Sequence, residues 1–260
     1  MNCKICGSIS DVFANGKILT EYLIAYYQCR HCGFIQTEEP YWLEEAYTQA
    51  INDSDIGMVS RNIANAKVCK AIISVFFDPD ARFVDYGGGY GMFVRLMRDY
   101  GFAFYRSDKY CQNLFAKGFD LEEPACDTLE LLTAFEVFEH FLNPASELDE
   151  LLKLSSNILF TTELIPPSNP KPEEWWYYGL DHGQHISFYT VKSLQSLANS
   201  KRLNFYTNSR NFHLFSKKKI AYLLFRLLCR NEGSTMFNVF NRRASLLAAD
   251  YEELTGTRLI

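Results

Sequence analysis

Four glycines fall within five positions, Gly87, Gly88, Gly89 and Gly91, between an apolar strand pattern over residues 82–86 and a helix pattern over 92–100 that closes at Gly101. This placement constrains the fold more than any other feature. Glycine lets the chain reverse sharply between a strand and a helix, and lets backbone approach a ligand closely. The flanking segments alternate in the same way. Residues 60–77 carry apolar side chains at helical spacing (Ile63, Ala64, Val68, Ala71, Ile72, Val75, Phe76) and stop at Asp78-Pro79-Asp80. Strands are expected over 102–107, 131–135 and 157–162, with a helix over 144–154 opened by Asn143. Thr190 can cap a helix to Ser200, and 203–206 and 211–215 read as final strands. Alternation of this kind predicts an α/β fold, a parallel sheet covered by helices on both faces.

The composition supports one well-filled core. Of 260 residues, 48% are hydrophobic and 15% aromatic, which excludes global disorder. The net charge of −5 is the wrong sign for a dedicated nucleic-acid binder. No apolar run reaches the roughly 18 residues of a membrane span. The start, Met1-Asn2-Cys3-Lys4-Ile5-Cys6, lacks the basic and apolar regions of a secretion signal, so a cytoplasmic location is expected.

Eight cysteines divide into two sets. Cys69, Cys111, Cys126 and Cys229 are scattered and read as packed free thiols. Cys3-x-x-Cys6-Gly7 and Cys29-x-x-Cys32-Gly33 are two matching knuckles. Each places two sulfurs on one side of a tight turn, and two facing knuckles give a tetrahedron of thiolates suited to Zn²⁺. The segments 17–20 and 22–27 between them read as short strands, so residues 1–50 are expected to form a zinc ribbon and connector. Four ligands leave no open position, which makes the metal structural. The competing readings are two disulfides, disfavoured in a reducing compartment, and a redox pair, which needs no duplicate. His31 is a bystander to a complete shell.

The glycine loop reads Asp85-Tyr86-Gly87-Gly88-Gly89-Tyr90-Gly91. It is neither the dinucleotide fingerprint, whose last glycine falls on Met92, nor a phosphate loop, since no Lys-Ser/Thr follows. After the next strand stands Asp108, where a carboxylate can accept both ribose hydroxyls of a nucleoside. The bland reading of the loop is a tight turn. The order helix, strand, glycine loop, helix, strand, acid favours the ligand.

These residues resemble motif I of class I S-adenosylmethionine (SAM) dependent methyltransferases. The stretch Glu130-Leu131-Leu132-Thr133-Ala134-Phe135-Glu136-Val137-Phe138-Glu139-His140-Phe141-Leu142-Asn143-Pro144 resembles their fourth-strand motif. His185-Ile186-Ser187-Phe188-Tyr189-Thr190 resembles the segment before their last helix. The resemblance covers about residues 60–215 and implies a Rossmann-like sheet. With the cysteine knuckles in front, the arrangement is similar to bacterial methyltransferases acting on nucleotide-linked sugars. The C-methylating members carry a large further domain that these 260 residues lack, so a hydroxyl acceptor is expected. The resemblance implies that Gly87, Gly88, Gly89 and Gly91 line SAM and that Asp108 holds its ribose. Asp85 would order the loop or meet the cofactor's amino group, and Phe135 and Glu136 would lie beside the sulfonium.

Three further groups invite chemistry. His182 and His185, in Asp181-His182-Gly183-Gln184-His185, can each take a proton from a hydroxyl or serve as structural caps. Glu136, Glu139 and His140 share one face of a helical turn, and with His185 they resemble the divalent-metal set of RNA and quinone O-methyltransferases. Acid-His pairs at this motif also serve to fix the loop without metal. Residues 163–184 form a long, proline-rich loop whose Trp175-Trp176-Tyr177-Tyr178 can be a lid, an acceptor wall or plain core packing.

Three segments are expected: 1–50, a methyltransferase domain over 51–216, and a basic helical tail over 217–260. Residues 217–243 hold seven Lys/Arg against Glu232 alone, so the remainder of the chain carries about −11. A basic apolar helix there can rest weakly on an anionic membrane surface, pack on the domain, or build a homodimer. The expected function is methyl transfer from SAM to a hydroxyl of a sugar-like small molecule, with no nucleic acid as partner. The competing functions are an RNA or quinone methyltransferase using a metal at Glu136, Glu139, His140 and His185, and a non-catalytic SAM-binding module.

Overall fold

The computed structural model describes residues 1–48, 56–122, 129–240 and 243–259; Cys126 lies outside them. In chain order the elements are β1 (Ser10–Ile18), β2 (Tyr22–Cys29), β3 (Ile35–Thr37), α1 (Leu43–Ala46), α2 (Met58–Phe76), β4 (Arg82–Tyr86), α3 (Met92–Asp99), β5 (Ala103–Ser107), β6 (Leu131–Phe135), α4 (Pro144–Leu154), β7 (Asn157–Thr161), β8 (Ser187–Phe188), α5 (Val191–Ser200), β9 (Asn204–Thr207), β10 (Phe212–Ser216), α6 (Tyr222–Leu228), α7 (Asn231–Phe240) and α8 (Leu247–Thr255). Two sheets result: a four-stranded one in the order β1-β2-β3-β8, and a six-stranded one in the order β5-β4-β6-β7-β10-β9.

Two compact units interleave in sequence. One comprises residues 1–52, 136–152 and 160–217; the other comprises 53–135, 153–159 and 218–260. The reason is the α/β weave, in which strands distant in sequence share a sheet.

In the first unit, β1 pairs with β2, β2 with β3 and β3 with β8, all antiparallel. The ribbon is therefore completed by residues 187–188, which only a distant partner identifies as a strand. Its inner face packs Ile18, Ile24, Tyr26, Trp42 and Phe188 with Tyr177 and Tyr178. The connector is thus core: Trp42 is 2% exposed and its indole N–H donates to the Gly183 carbonyl at 2.8 Å. Thr190 caps α5 as expected, its Oγ1 accepting from Ser193 N at 3.0 Å. β10 and β9 pair antiparallel, so the sheet is not parallel throughout.

In the second unit, β4 lies parallel between β5 and β6, Val84 opposite Tyr105 and Leu132. Phe83, Val84, Phe104, Leu131 and Leu132 are fully buried, as strands covered on both faces must be. The tail belongs to this unit. α6 and α7 pack on α2. α8 is pinned to α3 by Arg98, whose Nε and Nη2 donate to Asp250 at 2.9 and 2.5 Å, with Arg95 Nη2 also 2.9 Å from that carboxylate.

Candidate functional site

The glycine loop begins where β4 ends, at the carboxyl end of a parallel strand, where α/β sheets bind ligands. Gly91 starts α3 at φ +85°, and a Cβ there would stand 2.7 Å from Asn113 Oδ1, so no other residue fits. Gly88 is fixed from beneath: a Cβ would lie 2.9 Å from Asp85 Oδ2. Asp85 itself is buried, and its Oδ1 accepts from Thr133 Oγ1 at 2.6 Å. Burial raises its carboxyl to about 7, against the lowering effect of the Thr133 bond.

Asp108 stands just past β5. Its Oδ2 accepts from Gly89 N at 2.9 Å, and its Oδ1 from Tyr110 N and Cys111 N at 2.8 Å. These bonds occupy three of a carboxylate's roughly four acceptor directions. Arg106, which sequence reasoning did not single out, braces the same loop. Its buried Nε donates to Gly89 O at 2.7 Å, its Nη1 to Asp120 Oδ1 at 2.6 Å, and its Nη2 to Cys111 O. The signal was an arginine at a buried position of a strand, two residues before the acid. Phe135 ends β6 and meets Phe93 edge to face at 4.9 Å. A bare backbone edge, a carboxylate and an aromatic end are thus grouped around parallel strands, and these residues fit a nucleoside-bearing cofactor.

Within the other unit, Glu136, Glu139, His140, His182 and His185 gather. Glu136 takes φ +54°, a strained backbone for a non-glycine residue. Its N–H donates to Thr161 Oγ1 at 3.0 Å, and its Oε1 accepts from the same hydroxyl at 2.7 Å. Glu139 is fully buried. Burial pushes its carboxyl well above the usual range, and Glu136 pushes in the same direction. The Tyr177 and Thr162 hydroxyls neighbour it, yet neither carboxyl oxygen has a hydrogen bond of normal geometry.

Backbone partners set the histidine tautomers. His185 Nδ1 lies 2.6 Å from the Tyr177 carbonyl, which can only accept, so Nδ1 carries the proton and Nε2 the lone pair. His140 Nδ1 lies 3.1 Å from the Gln184 carbonyl, with the Tyr47 hydroxyl at 2.9 Å, and the same assignment follows. Burial pulls His140 down to about 4, so it is neutral at physiological pH. His182 is the reverse. Its Nδ1 accepts from Gln184 N at 3.1 Å, so a neutral His182 carries its proton on Nε2. Glu139, His140 and His185 offer ligand atoms all within 4.8 Å of one another, a set that could hold a cation. Glu136 is not among them. Of the aromatic run, Tyr177 and Tyr178 are core, whereas Trp176 is 75% exposed. Of the three readings of this run, core packing fits Tyr177 and Tyr178.

The four knuckle cysteines also converge. Their sulfurs lie 3.6 Å apart for Cys3–Cys32, 3.5 Å for Cys6–Cys29 and 3.6 Å for Cys6–Cys32. Four thiolates about 2.3 Å from a central ion lie about 3.8 Å from each other, and a disulfide would need about 2.05 Å. Ile5 N donates to Cys3 Sγ, and His31 N and Cys32 N to Cys29 Sγ, each at 3.4 Å. The hydrogen bond from Cys32 pulls the Cys3 thiol down to about 5, and the same bond raises Cys32.

The model of a methyltransferase domain family matches residues 61–207, more than half of the chain. Among solved structures, the chain is similar to CalO1, a methyltransferase in calicheamicin biosynthesis in its SAH-bound form, at 14% identity over 69% of this chain and 60% of that one (TM-score 0.46). It is similar to an O-methyltransferase family 2 protein from Planctomyces limnophilus DSM 3776 in complex with apigenin, at 12% identity over 68% and 65% (TM-score 0.45). It is also similar to the plantazolicin methyltransferase BpumL in complex with SAH, at 13% identity over 77% and 90% (TM-score 0.46). The chain thus spans less than two thirds of the length of the first two. No curated protein matches by sequence. The family match runs from α2 to β9 and includes the glycine loop and the fourth-strand motif, and the chain belongs to the SAM-dependent methyltransferase domain family.

Proposed function

We propose that this protein transfers a methyl group from SAM to a hydroxyl of a small, sugar-like acceptor, with a nucleotide-linked sugar the first choice. The observation that carries the reading is the pinned tautomer of His185, whose Nδ1–H is spent on the Tyr177 carbonyl so that Nε2 can accept a proton. When bound, SAM supplies an electrophilic methyl on a sulfonium. The Gly87–Gly91 backbone and Asp108 would hold it, Asp108 accepting from a ribose hydroxyl. Phe135 would lie toward the reacting end, and Asp85 and Arg106 hold the loop in shape. His185 Nε2 would receive the acceptor's proton as the acceptor oxygen takes the methyl group and the sulfur keeps the bonding pair as a neutral thioether. Such a base contributes roughly 10²–10⁴-fold. His182, as a donor, orients the acceptor. Cys3, Cys6, Cys29 and Cys32 hold a structural Zn²⁺, a reading supported by sulfur separations of 3.5–3.6 Å.

A second reading has its own support. Buried Glu139, without a hydrogen bond of normal geometry, together with the Nε2 lone pairs of His140 and His185, suits a divalent cation that would grip vicinal hydroxyls. His185 would then be a ligand and not a base. One assay separates the two: transfer of labelled methyl from SAM to a panel of nucleotide-linked sugars, with and without EDTA. The base reading expects turnover indifferent to chelator, falling as acid protonates His185, and reduced at least 100-fold in His185→Ala. Loss with EDTA and rescue by Mg²⁺ or Mn²⁺ would replace it with the metal reading. Wild-type turnover in His185→Ala would remove both.

A further inference from the structure

The layer formed by α2, α6 and α7 differs from the rest of the chain in charge and exposure. α2 carries Arg61, Lys67 and Lys70 and no acid. Residues 218–230, which hold α6, add Lys218, Lys219, Arg226 and Arg230 and again no acid; α7 contributes only Glu232. Of the acids nearby in the fold, Glu130 pairs with Lys218 at 2.5 Å and leaves the other cations of the segment unneutralised by it. This layer is strongly positive in a chain of net charge −5.

The same layer exposes large apolar side chains. α6 is anchored by Phe225 and Leu228, both nearly inaccessible, yet it turns Leu223 (79% exposed) and Leu227 (45%) outward. These two are one helical turn apart, so they form a row along the outer face. Arg226 of α6 and Arg230, two residues past the end of the helix, are also exposed. Met236 of α7 is also exposed. A helix that merely covers a core places its leucines inward. Here two apolar residues stand in water between cations, and no helix among the described residues is long and apolar enough to cross a membrane.

We propose that the α6 face is a docking surface for an anionic lipid bilayer, with Leu223 and Leu227 entering the headgroup boundary and Lys219, Arg226 and Arg230 contacting lipid phosphates. The charge decides for this occupant over a second copy of the chain: a self-complementary face would bring the same cations together from both copies. Each cation near an anionic surface is worth about fivefold in partitioning, and the attraction fades with salt. The inference does not depend on the identity of the acceptor.

The test is co-sedimentation of the full chain with vesicles of phosphatidylcholine alone and of phosphatidylcholine with phosphatidylglycerol, at low and high salt. The wild type is expected on the anionic vesicles only, and to leave them at high salt. Arg226→Gln/Arg230→Gln should weaken binding about 25-fold. Leu223→Ser/Leu227→Ser should weaken it tenfold or more, while both keep wild-type circular dichroism and SAM affinity. Absence from anionic vesicles, equal binding to neutral ones, or unchanged binding in both variants would overturn the proposal. So would a concentration-dependent dimer that only the leucine variant dissociates, because the face would then belong to a second copy.

Discussion

Replacing Asp85 by Asn tests the energetics of the loop's foundation. The carboxyl is buried, and its pKa is raised from 3.8 to about 7 chiefly by loss of hydration. Between about pH 4 and 7 the folded protein therefore holds a proton here that the unfolded chain has released. Stability contributed by this site is fully present below the unfolded value and is lost as pH rises through the folded one. The slope is about 1.4 kcal/mol per pH unit, so roughly 4 kcal/mol disappears across the window. Asn cannot ionise, keeps an Oδ1 for the Thr133 hydroxyl, and occupies nearly the same volume beneath Gly88. Asp85→Asn should therefore reduce the slope of stability against pH by one proton's worth between pH 4 and 7. It should also be the more stable protein at pH 8, by about 2–4 kcal/mol after about 1 kcal/mol for the weaker hydrogen bond. Urea denaturation of both proteins from pH 4.5 to 8 measures this. Glu139, also raised by burial, adds the same slope to both and cancels in the difference. Equal slopes would refute the reasoning, and a less stable Asp85→Asn at pH 8 would show that the charge itself is needed.

Three further outcomes follow from single contacts. Asp250→Ala leaves the buried Arg98 guanidinium without its carboxylate and should cost about 3–5 kcal/mol by denaturant titration. Gly91→Val forces a Cβ against Asn113 Oδ1 in left-handed backbone, so SAM binding should be lost in calorimetry while far-ultraviolet circular dichroism is kept. Cys6→Ser should lower zinc, measured by elemental analysis at about one ion per wild-type chain, and should loosen the ribbon toward proteolysis.

How far the sequence could be read depended on how local the signal is. The helix over 144–154 and the strands over 82–86 and 131–135 were legible because caps, glycines and buried apolar runs are local. β3 and β8 were not, being three and two residues long and defined by their partners, β2 and β8 for the one and β3 for the other. β1 starts at Ser10, earlier than expected, because Ser10-Asp11-Val12-Phe13-Ala14-Asn15-Gly16 has no clean alternation and includes an irregular register near Ala14. The strand-to-helix glycine loop and the acid after the next strand were visible as a spacing. The division of labour between His182 and His185 was not, since it rests on which backbone group faces each Nδ1. Arg106 carried only the signal of its strand position, because its partners are carbonyls and an acid brought near by the fold.

The central claim is that SAM binds at the glycine loop and Asp108, and calorimetric titration of SAM into wild type and Asp108→Ala tests it most directly. The account predicts one site per chain, weakened in the variant by about 1.5–3 kcal/mol, roughly 10- to 150-fold, because a charge-assisted acceptor and the brace on Gly89 are removed together. Unchanged affinity in a folded Asp108→Ala protein, or no SAM binding by the wild type, would contradict it.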